Sequence, residues 1–240
     1  MNRSSIQKDL RRTSSDDFRG EDIDDLESQI VSSLAALTSP TTEAIRNVRR
    51  GFSHLLAEAP ARLVVTLAVQ LVRHAAVPRF VAYELILYHR QALPSLKAKS
   101  LAELGAGNDS WEGVDAFACY LAGPAWREGQ VSDELIRRWA SSGDRWWRRT
   151  AVVSTVALNN KARGGDGDTG RTLMICKMLV ADRDDMVVKA LSWALRELSK
   201  RDPKSVRTFL REHDGLAPRV VREVNSKLKT GLKNPRKHRT

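Results

Sequence analysis

The chain has 240 residues, 42% of them hydrophobic and 29% charged, with a formal net charge of +11. That size and balance suit a globular or short repeat protein with a sizeable core, and they exclude a disordered polyelectrolyte. The last fifteen residues carry +6 of the charge and no acid, yet the preceding 225 still carry +5, so an anionic partner is expected, nucleic acid first and an acidic membrane surface second.

Residues 1–20 are polar, lack hydrophobic periodicity and read as a disordered segment. From Glu21 to Leu37, Ile23, Leu26, Ile30 and Leu34 recur at helical spacing, with acids leading. Pro40 opens a second helix running to about Leu56, and Pro60 a very apolar third through Val72. Pro78 opens a fourth, with Phe80, Tyr83, Leu87 and Tyr88. Helix pairs follow: Leu93 to Leu104 with a helix capped by Asp109, then Val131 to Ala140 with one capped by Asp144. Thr172 to Val180 pairs with a helix capped by Asp184 or Asp185, and Pro203 to Arg211 with Leu216 to Leu228. Alternating apolar and polar runs with hairpin turns are missing, so no strand is expected.

Asp109, Asp144 and Asp184 stand 35 and 40 residues apart, each opening the second helix of a pair. Trp111, Trp146 and Met186 each lie two residues further on, and Arg149 and Lys189 are 40 apart. A helix-pair period near 40 residues predicts an all-α, HEAT-like solenoid whose second helices line one concave basic groove. The expected organisation is a helical domain over 21–230, followed by a basic disordered tail over 231–240.

Cys119 and Cys176 lie far apart in apolar helical patterns and read as buried free thiols of a reducing compartment. The five histidines are scattered without metal-ligand spacing. No apolar run is long enough to span a membrane, and no signal peptide is visible, which makes a cytoplasmic protein without membrane contact the expectation.

Three stretches carry chemistry. In Asp109–Phe117, Trp111 and Asp115 are i,i+4, which sets an indole face beside a carboxylate on one side of a helix. Such a pair can flank a developing positive charge; taken alone, it equally suits a core Trp with a solvated Asp. In Asp144–Ala151, two indoles and three guanidinium groups occupy five consecutive positions, with Arg145 and Arg149 on one face. Three arginines at a helix start oppose the helix dipole, and a bound phosphate relieves that cost, so Arg145, Arg148 and Arg149 read as phosphate contacts. In Val187–Glu197, Trp193 taken alone reads as core, while Lys189 and Arg196 on the same face point toward a wet groove. The glycine-rich run Gly164–Gly170 lacks the ending of a phosphate loop and reads as a flexible connector, with Lys161 and Arg163 as backbone contacts.

Taken together and in order, Trp111 to Asp115, Trp146-x-x-Arg149-Thr150-Ala151, Lys189-Ala190-x-x-Trp193-x-Leu195-Arg196-Glu197 and Pro203-x-x-Val206-x-x-Phe209-Leu210 resemble the AlkD-type DNA alkylation repair family. Those proteins are HEAT-like all-helical DNA glycosylases. The resemblance covers roughly residues 21 to 230 and is most specific between Trp111 and Leu210. It implies that Trp111 and Asp115 match the family's catalytic-cleft Trp and Asp, Arg149 its cleft Arg and Trp193 its second cleft Trp. It implies hydrolysis of the N-glycosidic bond of cationic alkylpurines, chiefly 7-methylguanine and 3-methyladenine, in double-stranded DNA, by a monomer without metal or organic cofactor. Asp115 would stabilise the deoxyribose cation and orient water, the two indoles would pack on the nucleotide, and Arg149 would hold a flanking phosphate. No lysine stands out as a buried nucleophile, so a lyase step is not expected. The family is described as leaving the base stacked, and it includes members that bind DNA without excision. A non-catalytic solenoid for branched or damaged DNA is therefore the alternative; a protein-interaction scaffold explains the helices but not the Arg and Trp clustering.

Overall fold

The computed structural model describes residues 20–234. The disordered segment expected over 1–20 lies outside them except for Gly20, and of the tail expected over 231–240 only residues 231–234 are described. The described residues are helical, with no strand among them. They divide into two compact units that meet in sequence at Gly107 and Asn108.

The first unit holds α1 (Gly20–Ala35), α2 (Thr42–Leu55), α3 (Ala61–Leu71), α4 (Arg79–Leu87), α5 (Ala92–Ser95) and α6 (Ala98–Gly105). Thr41 rather than Pro40 caps α2, its Oγ1 accepting from the Ala44 amide, while Pro60 and Pro78 each precede their helix. α3 buries Leu63, Val64, Leu67, Ala68 and Leu71 against α1, α4, α5 and α6, and each buried leucine or valine contributes about 1.5–3 kcal/mol. The single helix expected from Leu93 to Leu104 is broken at Leu96, which is extended and fully buried. Beyond the break, Ser100 Oγ accepts from the Lys97 amide and starts α6 afresh.

The second unit holds α7 (Trp111–Phe117), a π-helical turn (Ala118–Ala122), α8 (Gly123–Arg127), α9 (Asp133–Ala140), α10 (Arg145–Asn159), α11 (Thr169–Met178), α12 (Asp185–Leu198), α13 (Pro203–Glu212) and α14 (Pro218–Thr230). α7 packs on α10, α10 on α12 and α12 on α14, so the second helices of successive pairs form one row. α9 and α11 pack on each other and back that row, and α13 packs on α12. α10 is the centre: every residue from Arg149 to Asn159 is buried. Its hydroxyls are satisfied within the helix, Thr150 donating to Trp146 O, Ser154 to Thr150 O and Thr155 to Val152 O.

One of the three expected aspartate caps changes. Ser110, not Asp109, caps α7: its Oγ accepts from the Gly113 amide at 3.3 Å, while Asp109 is exposed one residue earlier. Asp144 and Asp184 cap α10 and α12 through the amides of Trp146 and Met186. Counted from the true caps, Asp115, Arg149 and Lys189 occupy the same position, five residues in, on three successive helices of the row.

The glycine run is pinned rather than a flexible connector. The Gly165 and Gly167 amides donate to Asn160 O and Leu158 O, and Arg127 and Arg201 donate to the carbonyls of Arg163 and Gly165 at 2.7 Å each. Gly165 is buried, and a Cβ there would stand 2.4 Å from Ala157 O and 2.5 Å from the Leu158 carbonyl carbon. Backbone cannot yield as a flexible side chain does. Gly165→Ala should therefore lower stability by at least the roughly 1–3 kcal/mol typical of overpacking. Gly143→Ala, with open space around it, should stay within about 0.5 kcal/mol of wild type. Urea midpoints at constant slope read both, and equal midpoints would show that the loop can move away.

Candidate active site

The second unit brings three of the four cleft candidates together. Trp111 is the first residue of α7 and is 51% exposed. Asp115 lies one turn on, with 17% of its side chain exposed, and faces Arg149 of α10, whose side chain is 6% exposed. Arg149 Nε and Nη2 donate to Asp115 Oδ1 and Oδ2 at 2.9 and 2.8 Å, a two-pronged pair, and Nη1 donates to Met186 O in the first turn of α12. One guanidinium thus joins three neighbouring helices at their matching turn.

The charge of Asp115 is held between opposing forces. Burial pushes its carboxyl above the usual carboxylate range, with Glu112 adding to that; the hydrogen bonds and charge of Arg149 pull it back. Burial of Arg149 leaves little of it for a phosphate, contrary to the contact expected from sequence. Its observed work is to fix the carboxylate.

Directly after α7 the chain forms the π-helical turn, which no periodicity in the sequence announced. It ends at Gly123, where a Cβ would stand 2.6 Å from Ala157 Cβ and Ser154 O of α10. This close seat couples the stretch after Asp115 to α10, and π-turns are often found beside functional groups. Trp147 packs on Trp139 with ring centroids 4.9 Å apart and edge-on to Phe117, an aromatic cluster behind α7 and α10.

The cations divide into two sets. Arg145 is half exposed, lies over the Trp146 ring and touches Asp184 at 3.6 Å. Lys189 is 38% exposed and pairs with Asp185 at 2.6 Å, which holds that carboxyl below its ordinary range. Lys161 and Arg163 are exposed, and Arg163 lies over Tyr120. Arg148, in contrast, is committed to structure: it donates to Asp182 Oδ2 at 2.7 Å and to the carbonyls of Ser142 and Gly143. The sequence could not separate Arg145 from Arg148, since both lie in one basic run and differ only in which turn carbonyls fall within reach.

Trp193 stands apart from the trio. It is half buried, about 10 Å along α12 from Met186 at 1.5 Å per residue, and lines a cavity with Arg196 and the end of α14. Both cysteines are buried free thiols pushed up to about 12 by burial, which makes them inert core residues. Among the described residues no cluster of His, Cys, Asp and Glu could hold a metal, and no helix is long and apolar enough to cross a membrane.

An all-helical protein with repeated helix pairs and an Arg-clamped Asp beside an exposed Trp defines a class of helical-repeat protein with a candidate catalytic carboxylate. The family model described as DNA alkylation repair enzyme matches residues 39–227. The chain belongs to that family. A solved structure described as a predicted DNA alkylation repair enzyme from Enterococcus faecalis shares the fold, with a TM-score of 0.65 at 15% identity over 88% of this chain and 96% of that one. No curated protein sequence matches the chain.

Proposed function

We propose that this protein is a monomeric, HEAT-like DNA glycosylase that hydrolyses the N-glycosidic bond of cationic alkylated purines, 7-methylguanine and 3-methyladenine, in duplex DNA. The observation that carries this is the Asp115 carboxylate, gripped by Arg149 at 2.8–2.9 Å beside the exposed Trp111.

A purine alkylated at N7 or N3 carries a positive charge and leaves with the electron pair of its bond to C1′. The sugar left behind develops oxocarbenium character. A fixed negative charge beside C1′ stabilises it, because the carboxylate needs no reorganisation as the charge appears. The exposed Trp111 face suits a cationic sugar through its π system. Water adds to C1′ and loses a proton, which Asp115 can accept. The leaving group carries its own charge, so neither metal nor organic cofactor is called for. Arg149 favours the ionised form of Asp115 against its burial and orients it. Arg145, Lys189, Lys161 and Arg163 offer exposed cations to the backbone along a basic groove.

Incubation with methylated duplex DNA and detection of free 7-methylguanine tests the reading. Folded protein that binds duplex but releases no base would favour the non-catalytic alternative. Arg145→Ala and Lys189→Ala should each weaken binding to duplexes of any sequence, because phosphate contacts position without reading bases. Each should make the slope of log affinity against log salt shallower by about 0.9, the share of one phosphate. Unchanged slopes for both would remove these residues from the interface.

A further inference from the structure

The end of the described chain builds a site of its own. After α14, Gly231 turns the backbone with φ of +72°, and Leu232 and Lys233 double back. Ser226 Oγ donates to Leu232 O at 2.9 Å, Lys227 Nζ donates to Gly231 O, and Lys233 Nζ stands 3.6 Å from the buried Glu223 carboxylate. These ties hold Gly231–Lys233 as one wall of a cavity of about 260 Å³, whose other wall is Trp193, Arg196 and Glu197 of α12 with Lys200 just beyond its end.

Four cations line that cavity, Arg196, Lys200, Lys227 and Lys233, against the single carboxylate of Glu197. Each keeps capacity for a further acceptor. Lys200 reaches both carboxylate oxygens of Glu197, and Arg196 donates through Nε to Ser192 Oγ, with no partner for its Nη groups among the described residues. Burial disfavours the charge of Arg196, and the Glu223 and Glu197 carboxylates partly offset that. Four lining cations disfavour an apolar ligand, and a volume of about 260 Å³ leaves room for one tetrahedral anion with what is attached to it.

We infer that this cavity seats one phosphodiester of a DNA strand, held by Arg196, Lys200 and Lys233, and that the Gly231–Lys233 segment is a structural wall of the DNA-binding surface rather than the start of a loose tail. The inference rests on the duplex-binding reading above but not on excision. A duplex is favoured over a free phosphate because Trp193 offers an apolar ring beside the cations, which suits the sugar of a nucleotide.

The test uses the full chain and lesion-free duplexes in which a single backbone phosphate at a time is replaced by a neutral methylphosphonate. Wild type should lose roughly fivefold or more in affinity at one position, as expected for removal of a charge-assisted contact. In a Lys200→Gln, Lys233→Gln double variant that position should lose its effect, and the salt slope should become shallower by at least about 0.9. Lys200→Arg with Lys233→Arg should restore both. Thermal midpoints check folding, and the single substitutions serve if the double variant is unstable. A double variant that keeps the wild-type slope and the wild-type response to each methylphosphonate would overturn the inference while leaving the duplex reading intact. So would inorganic phosphate competing through Lys200 and Lys233 when no methylphosphonate position responds. Failure of wild type itself to bind duplex would sink both readings.

Discussion

Asp115→Asn is expected to lower single-turnover release of 7-methylguanine by on the order of 100-fold or more, with duplex affinity near wild type. The substitution keeps shape and one acceptor but removes the charge that faces the sugar cation, and loss of one preorganised electrostatic group commonly has that effect. It also turns an amide N–H₂ toward an Arg149 donor, since both carboxylate oxygens are engaged at 2.9 and 2.8 Å. The carboxamide therefore cannot reproduce the pair. Affinity should hold because Asp115 is an acid, and the phosphate-facing cations are elsewhere. Excision at the wild-type rate by this variant would remove Asp115 from the chemistry.

Arg149→Met, which keeps much of the volume and loses the charge, should act through Asp115. Breaking a buried pair typically costs about 3–5 kcal/mol, and the lower end is expected here because Asp115 is 17% exposed and can neutralise itself by protonation. The pH dependence separates positioning from mere support. The Asp115 carboxyl is raised by burial and lowered by Arg149, so the variant should hold it higher still. The excision rate, which needs the carboxylate, should then rise along an acid limb displaced to higher pH, with partial recovery at alkaline pH. Stability follows the opposite sign. A carboxyl raised in the folded state contributes stability that is complete below its unfolded value and is lost as pH rises through its folded value. In the variant that loss should extend to higher pH. The salt slope of duplex binding should not change, because Arg149 is buried. An unmoved acid limb with a lower rate would make Arg149 a packing residue; a shallower slope would restore it as a phosphate contact.

Local patterns in the chain carry much of this protein. Helical periodicity, prolines before helices and aspartates at caps mark most elements, because those signals act within one turn and need no tertiary partner. The same local logic sets Trp111 and Asp115 on one face of α7. It failed where two groups compete for one local role, as when Ser110 rather than Asp109 reached the Gly113 amide. It failed again at Leu96, where burial of an extended residue broke a pattern that reads as one helix.

What the tertiary structure decided is the division of labour among residues of one type. Three arginines in five positions look alike in sequence; packing of α10 against α7 and α12 buries Arg149 on Asp115, turns Arg148 onto the Ser142 and Gly143 carbonyls and leaves Arg145 half exposed. The partners of those guanidinium groups lie 34 to 39 residues away or at turn carbonyls whose direction depends on the whole stack. Secondary structure and helix faces follow from forces between near neighbours, and those the sequence by itself determined. The ion pair that makes Asp115 a candidate catalytic group, and the cationic cavity closed by Gly231–Lys233, depend on the register of one helix against the next. That register is set by side-chain volumes meeting across the core, as at Gly123 against Ala157 and Ser154, and only the folded chain displays it.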